Sequence, residues 1–368
     1  MGTKARVVVL TKQAGPLRVE ELTLPDPGPH QVLIKQFASG ICHSQLHRIH
    51  APVSERTGHE IMGHESTGVV LQTGSEVTHV TEGDTVLVTW IPRNAFTSNR
   101  APEPFSMTHP DGSILATRNV FTWADNTIAD EQYVVKVPKE IRTDVTSIIG
   151  CAIMTGAGAV QNTANVQIGD SVAVFGVGGV GLSAIAGAKQ SGAYPIIAVD
   201  LSDDKLEFAK KFGATHGLNA GKVDPIEEIH KLTTKPEGLG IGGAPISGVD
   251  FAFDCIGVGQ TMSQIIPAAR IGRFGAHSGG TACFVGIPAG NLEIDPNQIL
   301  MFERRLIGSI GGTCCPERDF PKYLQWYEDG DLDLDAMVTE RFPIEQINEA
   351  CEALSNGEIA GRAIMEFD

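Results

Sequence analysis

A glycine-rich stretch, Gly176-Val-Gly-Gly-Val-Gly181, is the sequence feature that most constrains the fold. It matches the pattern G-x-G-x-x-G, follows the apolar run 171–175 and opens a helical stretch over residues 180–192. In that context the first glycine allows a tight turn, the second lets the backbone approach a pyrophosphate, and the third allows close helix packing. The helix N-terminus then faces the diphosphate charge. The predicted dinucleotide cradle consists of Gly176, Gly178, Gly179, Val180 and Gly181.

A carboxylate follows the next apolar run, residues 195–200. Asp200 ends that run, at about the 20-residue spacing at which dinucleotide-binding proteins place an acid on the ribose. Such a carboxylate accepts hydrogen bonds from the ribose hydroxyls and repels a 2′-phosphate, so the sequence favours NAD over NADP. Lys205 is placed to help hold the same ribose.

Strands and helices alternate in the second half of the chain. Further apolar runs cover residues 249–254 and 281–285, and a helical stretch covers residues 203–212. This alternation predicts right-handed crossovers and a doubly wound parallel sheet, hence an α/β fold. The Gly/Pro-rich segment 236–248 is predicted to be a surface loop.

The first 150 or so residues have a different character. They are rich in Val, Thr and Gly, and they contain short alternating runs typical of strands in a β-rich domain. The predicted strands there span residues 31–35, 68–72 and 84–88. The last part of the chain is predicted to contain a helix over residues 319–329 and a strand over residues 362–367. The predicted domains are 1–152 with 298–368, and 153–297.

Composition excludes several classes of partner. The chain has 368 residues and a formal net charge of −16, and such an acidic protein repels nucleic-acid phosphates and anionic lipid. It contains no apolar run near the length of about 18 residues that a membrane span needs, and its N-terminal apolar run is too short for a signal peptide. The 7 cysteines are scattered, which indicates reduced thiols in a cytoplasmic protein.

The stretch TGHEIMGHESTGVV, residues 57–70, contains Gly-His-Glu twice and raises the question of a metal site. His59 and His64 are five positions apart, whereas the zinc-protease helix spaces its histidines four apart. On a helix, five positions separate two side chains by about 140°. Gly58 and Gly63 also disfavour a helix. The protease interpretation is therefore rejected.

A better set of ligands combines thiols with one of these histidines. Cys42, a histidine from a Gly-His-Glu and Cys151 would leave the fourth position of a tetrahedral zinc open, as a catalytic site requires. Two thiolates cancel the formal charge of the metal, while zinc still acidifies a bound alcohol. These residue types alone leave the choice between His59 and His64 open.

With these motifs the chain resembles the zinc-dependent medium-chain alcohol dehydrogenases over nearly its whole length. The resemblance implies a GroES-like β-rich catalytic domain and a Rossmann cofactor domain. In this family a Gly-His-Glu element is followed by small residues, a glycine and a β-branched pair, which fits His64 and not His59. The matching motifs are GICHSQLH (40–47), GHESTGVV (63–70), GDTV (83–86), GVGGVG (176–181), FDCIG (253–257) and GRAIMEF (361–367).

The resemblance also implies roles for individual residues. The zinc ligands would be Cys42, His64 and Cys151, with Glu65 behind the metal as an occasional ligand. Ser44 would take the alcohol proton and pass it through the ribose to His47, which would release it to water.

Three more residues are assigned in the same way. His43 and Arg362 would contact the pyrophosphate, and the partial charge of a histidine would hold it less firmly than an arginine. Trp90 would form an aromatic wall of the substrate pocket, which suggests an apolar alcohol. The other pocket residues would come from segments 49–57 and 90–127. Relatives are dimers or tetramers, so a homodimer or homotetramer is expected.

Two departures from the family affect metal binding. Many relatives hold a structural zinc with four cysteines in a lobe that corresponds to residues 90–127. This chain has Asn94, Thr97, Arg100 and Thr108 there, and no cysteine between Cys42 and Cys151. We therefore predict one catalytic zinc per subunit, no structural zinc, and a lobe held by packing alone.

The second departure is Gln45, which replaces an aspartate that orients the ligand histidine in many relatives. A neutral amide still accepts a hydrogen bond but donates less charge to the imidazole. The sequence leaves open whether zinc affinity or activity rises or falls.

The remaining cysteines carry weaker signals. Cys255 and Cys283 lie in strand-like runs and are predicted to be core residues. Cys314 and Cys315 follow two glycines in a loop, without evident partners for a metal site.

The function predicted from the sequence is a zinc-dependent oxidoreductase that transfers a hydride between NAD and an alcohol/aldehyde or ketone pair. The alternative is a polyol or thiol-adduct (formaldehyde-type) dehydrogenase of the same superfamily. A non-catalytic dinucleotide-binding relative is disfavoured, because such a protein would be expected to lose zinc ligands or the Ser44/His47 relay.

Overall fold

The computed structural model describes residues 2–55, 58–240, 243, 245–273 and 279–367. The chain forms two compact units, one made of Met1–Ala152 with Cys315–Asp368 and the other of Ile153–Cys314. The first boundary coincides with the one expected at residue 152. The chain returns at Cys315, however, and not at residue 298.

The N-terminal part of the first unit consists mainly of short strands rich in β-branched residues, as their β-propensity favours. It also contains the helix α1 (His43–Ile49) and a 3₁₀ segment, Val145–Gly150. The strands are β1 (Thr3–Leu10), β2 (Arg18–Leu24), β3 (Gln31–Ile41), β4 (His59–Ile61), β5 (Ser66–Thr73), β6 (Thr85–Val88), β7 (Ser106–Thr108), β8 (Ile114–Ala116), β9 (Asn126–Asp130) and β10 (Val134–Lys136).

The second unit alternates strands and helices. Its elements are α2 (Ala152–Gly158), β11 (Val172–Phe175), α3 (Gly179–Gln190), β12 (Ile196–Asp200), α4 (Asp203–Phe212), β13 (His216–Asn219), α5 (Pro225–Thr233), β14 (Lys235–Leu239), β15 (Pro245–Ile246), β16 (Phe251–Asp254), α6 (Gly259–Ala268), β17 (Thr281–Phe284), α7 (Pro296–Leu300) and β18 (Arg305–Gly308).

The main sheet of this unit is parallel throughout, in the order β13-β12-β11-β16-β17-β18. Numbered within the unit this is the order 3-2-1-4-5-6 of a Rossmann fold, with β14 and β15 left aside. All four residues of β11 are buried, which is why its sequence is a continuous apolar run. The predicted α/β fold class is confirmed. Because β18 completes the sheet at Gly308, the unit continues beyond the predicted boundary at residue 298.

One predicted loop is in part a β-ribbon. Within segment 236–248, β14 pairs with β15 in an antiparallel manner, so the prediction of a plain surface loop is wrong for these residues. The described Gly243 has a φ of +78°, the left-handed conformation that tight turns between paired strands use. Positions 241, 242 and 244 of this segment lie outside the described residues, as do positions 56 and 57 of the predicted pocket segment 49–57.

The chain then returns to the first unit. The returning elements are α8 (Pro316–Glu328), α9 (Leu334–Met337), β19 (Val338–Pro343), α10 (Ile347–Ser355) and β20 (Arg362–Glu366). The helix predicted at residues 319–329 therefore begins at Pro316, a residue whose fixed φ suits the first turn of a helix.

Two sheets form the first unit, in the orders β2-β1-β4-β8-β7 and β10-β6-β5-β3-β20-β19, with β9 also paired to β3. The returning strand β20 lies antiparallel beside β3, with Ala363 opposite Ile41. This register places Arg362 close to the end of β3, where Cys42 follows. None of the helices in the described ranges is long and apolar enough to cross a membrane.

Candidate active site

Three separate segments of the first unit bring a cluster of metal-binding side chains together. Cys42 follows β3 and lies at the N-cap of α1, His64 and Glu65 precede β5, and Cys151 follows the 3₁₀ segment. The Thr89 hydroxyl donates a 2.7 Å hydrogen bond to the Gly150 carbonyl and so fixes the backbone just before Cys151. One ligand atom from each of the four residues lies within 4.8 Å of all the others.

The donor set fits zinc. Two thiols and an imidazole nitrogen are the ligands that zinc prefers in proteins, and both cysteines are only 6% exposed. The Nε2 atom of His64 is buried and forms no hydrogen bond within the described part of the chain. A buried nitrogen without a partner is costly, and a metal ion bound by this atom would remove that cost.

The two thiols have opposite acidities in the metal-free site. A hydrogen bond from Cys151 lowers the pKa of Cys42 well below its usual value, and Arg362 adds to this effect against the opposing effect of burial. The same hydrogen bond, together with burial, raises the pKa of Cys151 well above its usual value. Because zinc binds both sulfurs as thiolates, metal binding at this site would release the proton that the two thiols share.

Glu65 lies behind this cluster in an ion pair with Arg362. The Glu65 carboxylate is fully buried, the Arg362 side chain is 5% exposed, and an Arg362 nitrogen donates to Glu65 Oε1. The Ala152 N–H donates to the other carboxylate oxygen at 3.3 Å. Burial raises the pKa of Glu65 to about 7, although the charge of Arg362 opposes the shift. The predicted contact of Arg362 with a pyrophosphate stays a prediction.

Gln45 contacts the candidate ligand His64 directly. Its Nε2 lies 2.5 Å from His64 Nδ1, and its Oε1 accepts a 3.2 Å hydrogen bond from the Gly63 N–H. The Gln45 amide is therefore placed to orient His64, as the resemblance implied.

The predicted relay residues lie on α1. The Ser44 hydroxyl donates a 3.3 Å hydrogen bond to the Cys42 sulfur, so it is adjacent to the metal-binding cluster. His47 lies one helical turn further on and is exposed, as is His43 at the start of the helix. Ser44 and His47 therefore lie on the same side of α1.

Trp90 lies just after β6. It is half-buried, its carbonyl accepts a 3.0 Å hydrogen bond from Asn119, and its indole Nε1 is buried without a hydrogen bond in the described ranges. Its role as a wall of the substrate pocket stays a prediction.

The predicted nucleotide-binding residues come together at the carboxyl ends of β11 and β12. Gly176 has a φ of +86°, and a Cβ on Gly181 would lie 1.8 Å from the Gly176 carbonyl oxygen, so both positions require glycine. Space is open around Gly178, which lies just before α3. Asp200 accepts a 3.0 Å hydrogen bond from the Val177 N–H and so holds the glycine-rich turn. The half-buried Lys205 lies in the first turn of α4.

His59, the histidine of the first Gly-His-Glu, belongs to a second cluster. His59, His109 and Asp111 also offer ligand atoms within 4.8 Å of one another. His59 Nδ1, however, accepts a hydrogen bond from the Lys12 N–H, so its Nε2 carries the proton and donates to Asp111 at 3.0 Å. His109 lies between Asp111 and Glu20, with a carboxylate at each ring nitrogen. We interpret this cluster as a hydrogen-bonded network that ties β2, β4 and the β7–β8 turn together.

The lobe over residues 90–127 is held by ion pairs as well as by packing. Arg100 donates to both carboxylate oxygens of the buried Asp130, at 2.7 and 2.9 Å. Arg93 and Asn94 both donate to Glu317 on α8, at 2.8 and 2.9 Å. The prediction that packing alone holds this lobe is therefore wrong. The sequence missed these pairs because Asp130 and Glu317 lie outside the segment.

The cysteines other than Cys42 and Cys151 belong to none of the candidate metal-binding groups formed by the described residues. Cys283 is fully buried in β17, and burial raises its pKa to about 12. Cys255 follows β16 and is half-buried, and burial raises its pKa as well. Cys314 and Cys315 are half-buried, and neither belongs to a metal-binding group formed by the described residues.

Comparison with known proteins identifies the class. The family model "Alcohol dehydrogenase GroES-like domain" matches residues 28–139, and "Zinc-binding dehydrogenase" matches residues 179–329. The chain belongs to the zinc-dependent medium-chain alcohol dehydrogenase family. It is thus an oxidoreductase of a family that works with zinc and NAD.

Particular relatives cover nearly the whole chain. An alcohol dehydrogenase class-3 from Cereibacter sphaeroides is 32% identical, over 96% of this chain and 98% of its own length. An S-(hydroxymethyl)glutathione dehydrogenase from Paracoccus denitrificans is 31% identical, with the same coverage of 96% and 98%. The crystal structure of a benzyl alcohol dehydrogenase from Acinetobacter calcoaceticus matches with a TM-score of 0.84 and 26% identity, over 100% of both chains.

Proposed function

We propose that this protein catalyses the reversible, NAD-dependent oxidation of an alcohol to an aldehyde or ketone at a zinc ion held by Cys42, His64 and Cys151. The observation that carries the proposal is the meeting of these three donors around a buried His64 Nε2 that forms no hydrogen bond with any described residue. In this arrangement zinc would supply Lewis-acid activation of the substrate oxygen, and NAD would supply the hydride acceptor.

The proton path uses residues of α1. Ser44 Oγ, next to the Cys42 sulfur, takes the proton that the alcohol loses, and the exposed His47 releases a proton to water. A histidine suits this last step because one imidazole nitrogen can accept a proton while the other donates one. Glu65 and its partner Arg362 hold a buried charge pair behind the ligands and keep the cluster in place.

The cofactor is held by the glycine-rich turn. The open space at Gly178 and the N-terminus of α3 receive the diphosphate, while Asp200 and Lys205 hold the adenosine ribose. His43 and Arg362 are the further diphosphate contacts in this proposal. The negative charge of Asp200 favours NAD over NADP.

The proposal includes one zinc per subunit and no structural zinc. It rests on the residues at 94, 97, 100 and 108, none of which supplies a thiolate, and on the ion pairs that hold the lobe instead. The subunits form a homodimer or homotetramer in the cytoplasm.

Three substrate classes are compatible with this site. The benzyl alcohol dehydrogenase relative and Trp90 favour an apolar, aromatic alcohol. The alternative is a thiol-adduct (formaldehyde-type) dehydrogenase, which the S-(hydroxymethyl)glutathione dehydrogenase relative favours. A polyol substrate remains within the same superfamily and belongs in the same comparison.

The test is a substrate panel on the purified, zinc-loaded protein. NADH formation is followed with benzyl alcohol, aliphatic alcohols, a polyol and S-(hydroxymethyl)glutathione, each with and without a zinc chelator. We expect chelator-sensitive turnover, fastest with benzyl alcohol. Fastest turnover of the glutathione adduct would select the alternative, and no turnover of any substrate despite bound zinc would refute the proposed activity.

A further inference from the structure

The amide of Gln45 faces two hydrogen-bond donors whenever His64 binds a metal, and we infer that this conflict weakens zinc binding at the candidate site. The inference rests on the proposed function, in which His64 is a ligand through Nε2. The expected effect of Gln45, compared with an aspartate, is therefore a lower affinity for zinc.

The conflict follows from counting donors and acceptors. A neutral imidazole that binds a metal through Nε2 carries its proton on Nδ1, and it is this atom that lies 2.5 Å from the Gln45 amide. The Gly63 N–H points at the same amide from 3.2 Å. Gln45 has one carbonyl oxygen for these two donors. Whichever way the amide is turned, its NH₂ group faces one N–H.

The Gly63 N–H cannot turn away. It belongs to the same planar peptide group as the Met62 carbonyl, which accepts 3.0 Å hydrogen bonds from the N–H groups of Thr122 and Trp123. Gly63 has a φ of +92°, and a Cβ there would lie 2.4 Å from the Trp123 nitrogen. Its backbone is therefore locked in position, and Gln45 Oε1 is the acceptor that the described residues offer it.

Without a metal ion this conflict can be relieved. Gln45 Nε2 faces His64 Nδ1 at 2.5 Å while Oε1 accepts from the Gly63 N–H, a pairing that satisfies both groups when the neutral imidazole has its proton on Nε2. Gln45 thus stabilises the histidine tautomer that cannot bind zinc. A carboxylate at this position would accept from both donors and would favour the zinc-binding tautomer.

Three substitutions separate this effect from others. Gln45→Glu keeps the length of the side chain and replaces the NH₂ by an acceptor. Gln45→Leu removes donor and acceptor together. Arg48→Gln, on the same helix, changes the net charge by the same amount as Gln45→Glu but places no oxygen at His64.

The experiment measures zinc affinity by competition with a chromogenic chelator, on full-length protein whose fold in the metal-free state is verified by circular dichroism. We expect Gln45→Glu to bind zinc about 10–100-fold more tightly than the unaltered protein. Gln45→Leu should bind at least as tightly as the unaltered protein. Arg48→Gln should change the affinity by less than about threefold, because the half-buried Arg48 pairs with Glu60 and not with a candidate ligand.

The inference is overturned if Gln45→Leu binds zinc about tenfold more weakly, since Gln45 would then support the metal, or if Gln45→Glu gains no more than Arg48→Gln. These outcomes leave the proposed function intact as long as Cys42→Ser abolishes zinc binding. An unaltered protein that binds no zinc at this site would overturn both.

Discussion

The guanidinium of Arg362 and the carboxylate of Glu65 form a fully buried ion pair across 297 positions of sequence. The pair forms because β20 lies beside β3, with Ala363 opposite Ile41. It joins the returning part of the chain to the loop that carries His64. The last strand of the described chain thus supports the candidate metal centre directly.

Removing Arg362 should destabilise the protein strongly. Arg362→Met leaves the Glu65 charge buried without its partner, and the loss of one member of such a pair costs about 3–5 kcal/mol. Urea unfolding of the metal-free protein measures the free energy of unfolding. Arg341→Met, which breaks the partly exposed pairs of Arg341 with Glu366 and Asp144, is the control and should cost clearly less, because such pairs are each worth about 0–1 kcal/mol. Equal effects of both substitutions would contradict this explanation.

Removing a candidate zinc ligand should abolish both metal binding and activity. Cys42→Ser or Cys151→Ser should lower the zinc content from one per subunit to none, and turnover should fall by about a thousandfold or more, because Lewis-acid activation supplies several kcal/mol. Metal analysis and NADH formation measure the two effects. Cys283→Ala alters a buried thiol of β17 that does not belong to the candidate ligand group, and this variant should keep its zinc. Zinc retained by Cys42→Ser would place the metal elsewhere.

Neutralising Asp200 should relax the preference for NAD. Asp200→Asn keeps an oxygen that can accept from the Val177 N–H but removes the charge that repels a 2′-phosphate. Because hydrogen bonds to charged groups are worth about 1.5–3 kcal/mol, kcat/KM with NAD should fall about 10–100-fold relative to that with NADP. Asp203→Asn, on the exposed start of α4, is the control. If the ratio of kcat/KM with NAD to kcat/KM with NADP is unchanged, Asp200 only stabilises the glycine-rich turn.

The His109 network should make stability depend on pH near neutrality. A hydrogen bond with Glu20 raises the pKa of His109, and Asp111 adds to this effect while burial opposes it. The charged and titratable groups around the ring are Glu20, Asp111 and His59. Because the pKa is higher in the folded state, the stabilisation is fully present below the unfolded value of about 6.5 and is lost as pH rises through the folded value.

The measurement is the urea midpoint between about pH 6 and pH 9. The unaltered protein should lose stability with rising pH relative to His109→Gln, and the two curves should converge at the alkaline end. His50→Gln, at an exposed position after α1, should keep the pH dependence of the unaltered protein. A constant difference between the His109→Gln and unaltered curves would show that the charge of His109 does not matter.

Local patterns explain what the sequence could predict. The glycine-rich turn and Asp200 follow one another within a single strand–helix–strand segment, so spacing alone was sufficient to predict them. The roles of Cys42, His64 and Cys151 depended on resemblance to a family, and their proximity in the structure agrees with it. Their function as ligands stays a prediction.

Long-range register explains what the sequence could not predict. The pairing of Arg362 with Glu65 depends on the alignment of β20 with β3, and the partner of Arg100 lies 30 positions away on another strand. The conflict at Gln45 depends on the direction of one backbone N–H in a distant loop. The predicted boundary at residue 298 precedes the observed return at Cys315. The reason is that β18 has only four residues, so its apolar pattern is a weak signal of a strand.

Charged side chains hold the lobe over residues 90–127. Arg100 contacts Asp130, and Arg93 and Asn94 contact Glu317. Residues 90–127 contain no cysteine, so this lobe has no thiol to oxidise. Its cohesion depends instead on ionic strength, since the exposed Arg93–Glu317 pair is screened by salt while the buried Asp130 is largely shielded. We therefore expect the stability of this region to respond to salt concentration and not to thiol oxidation.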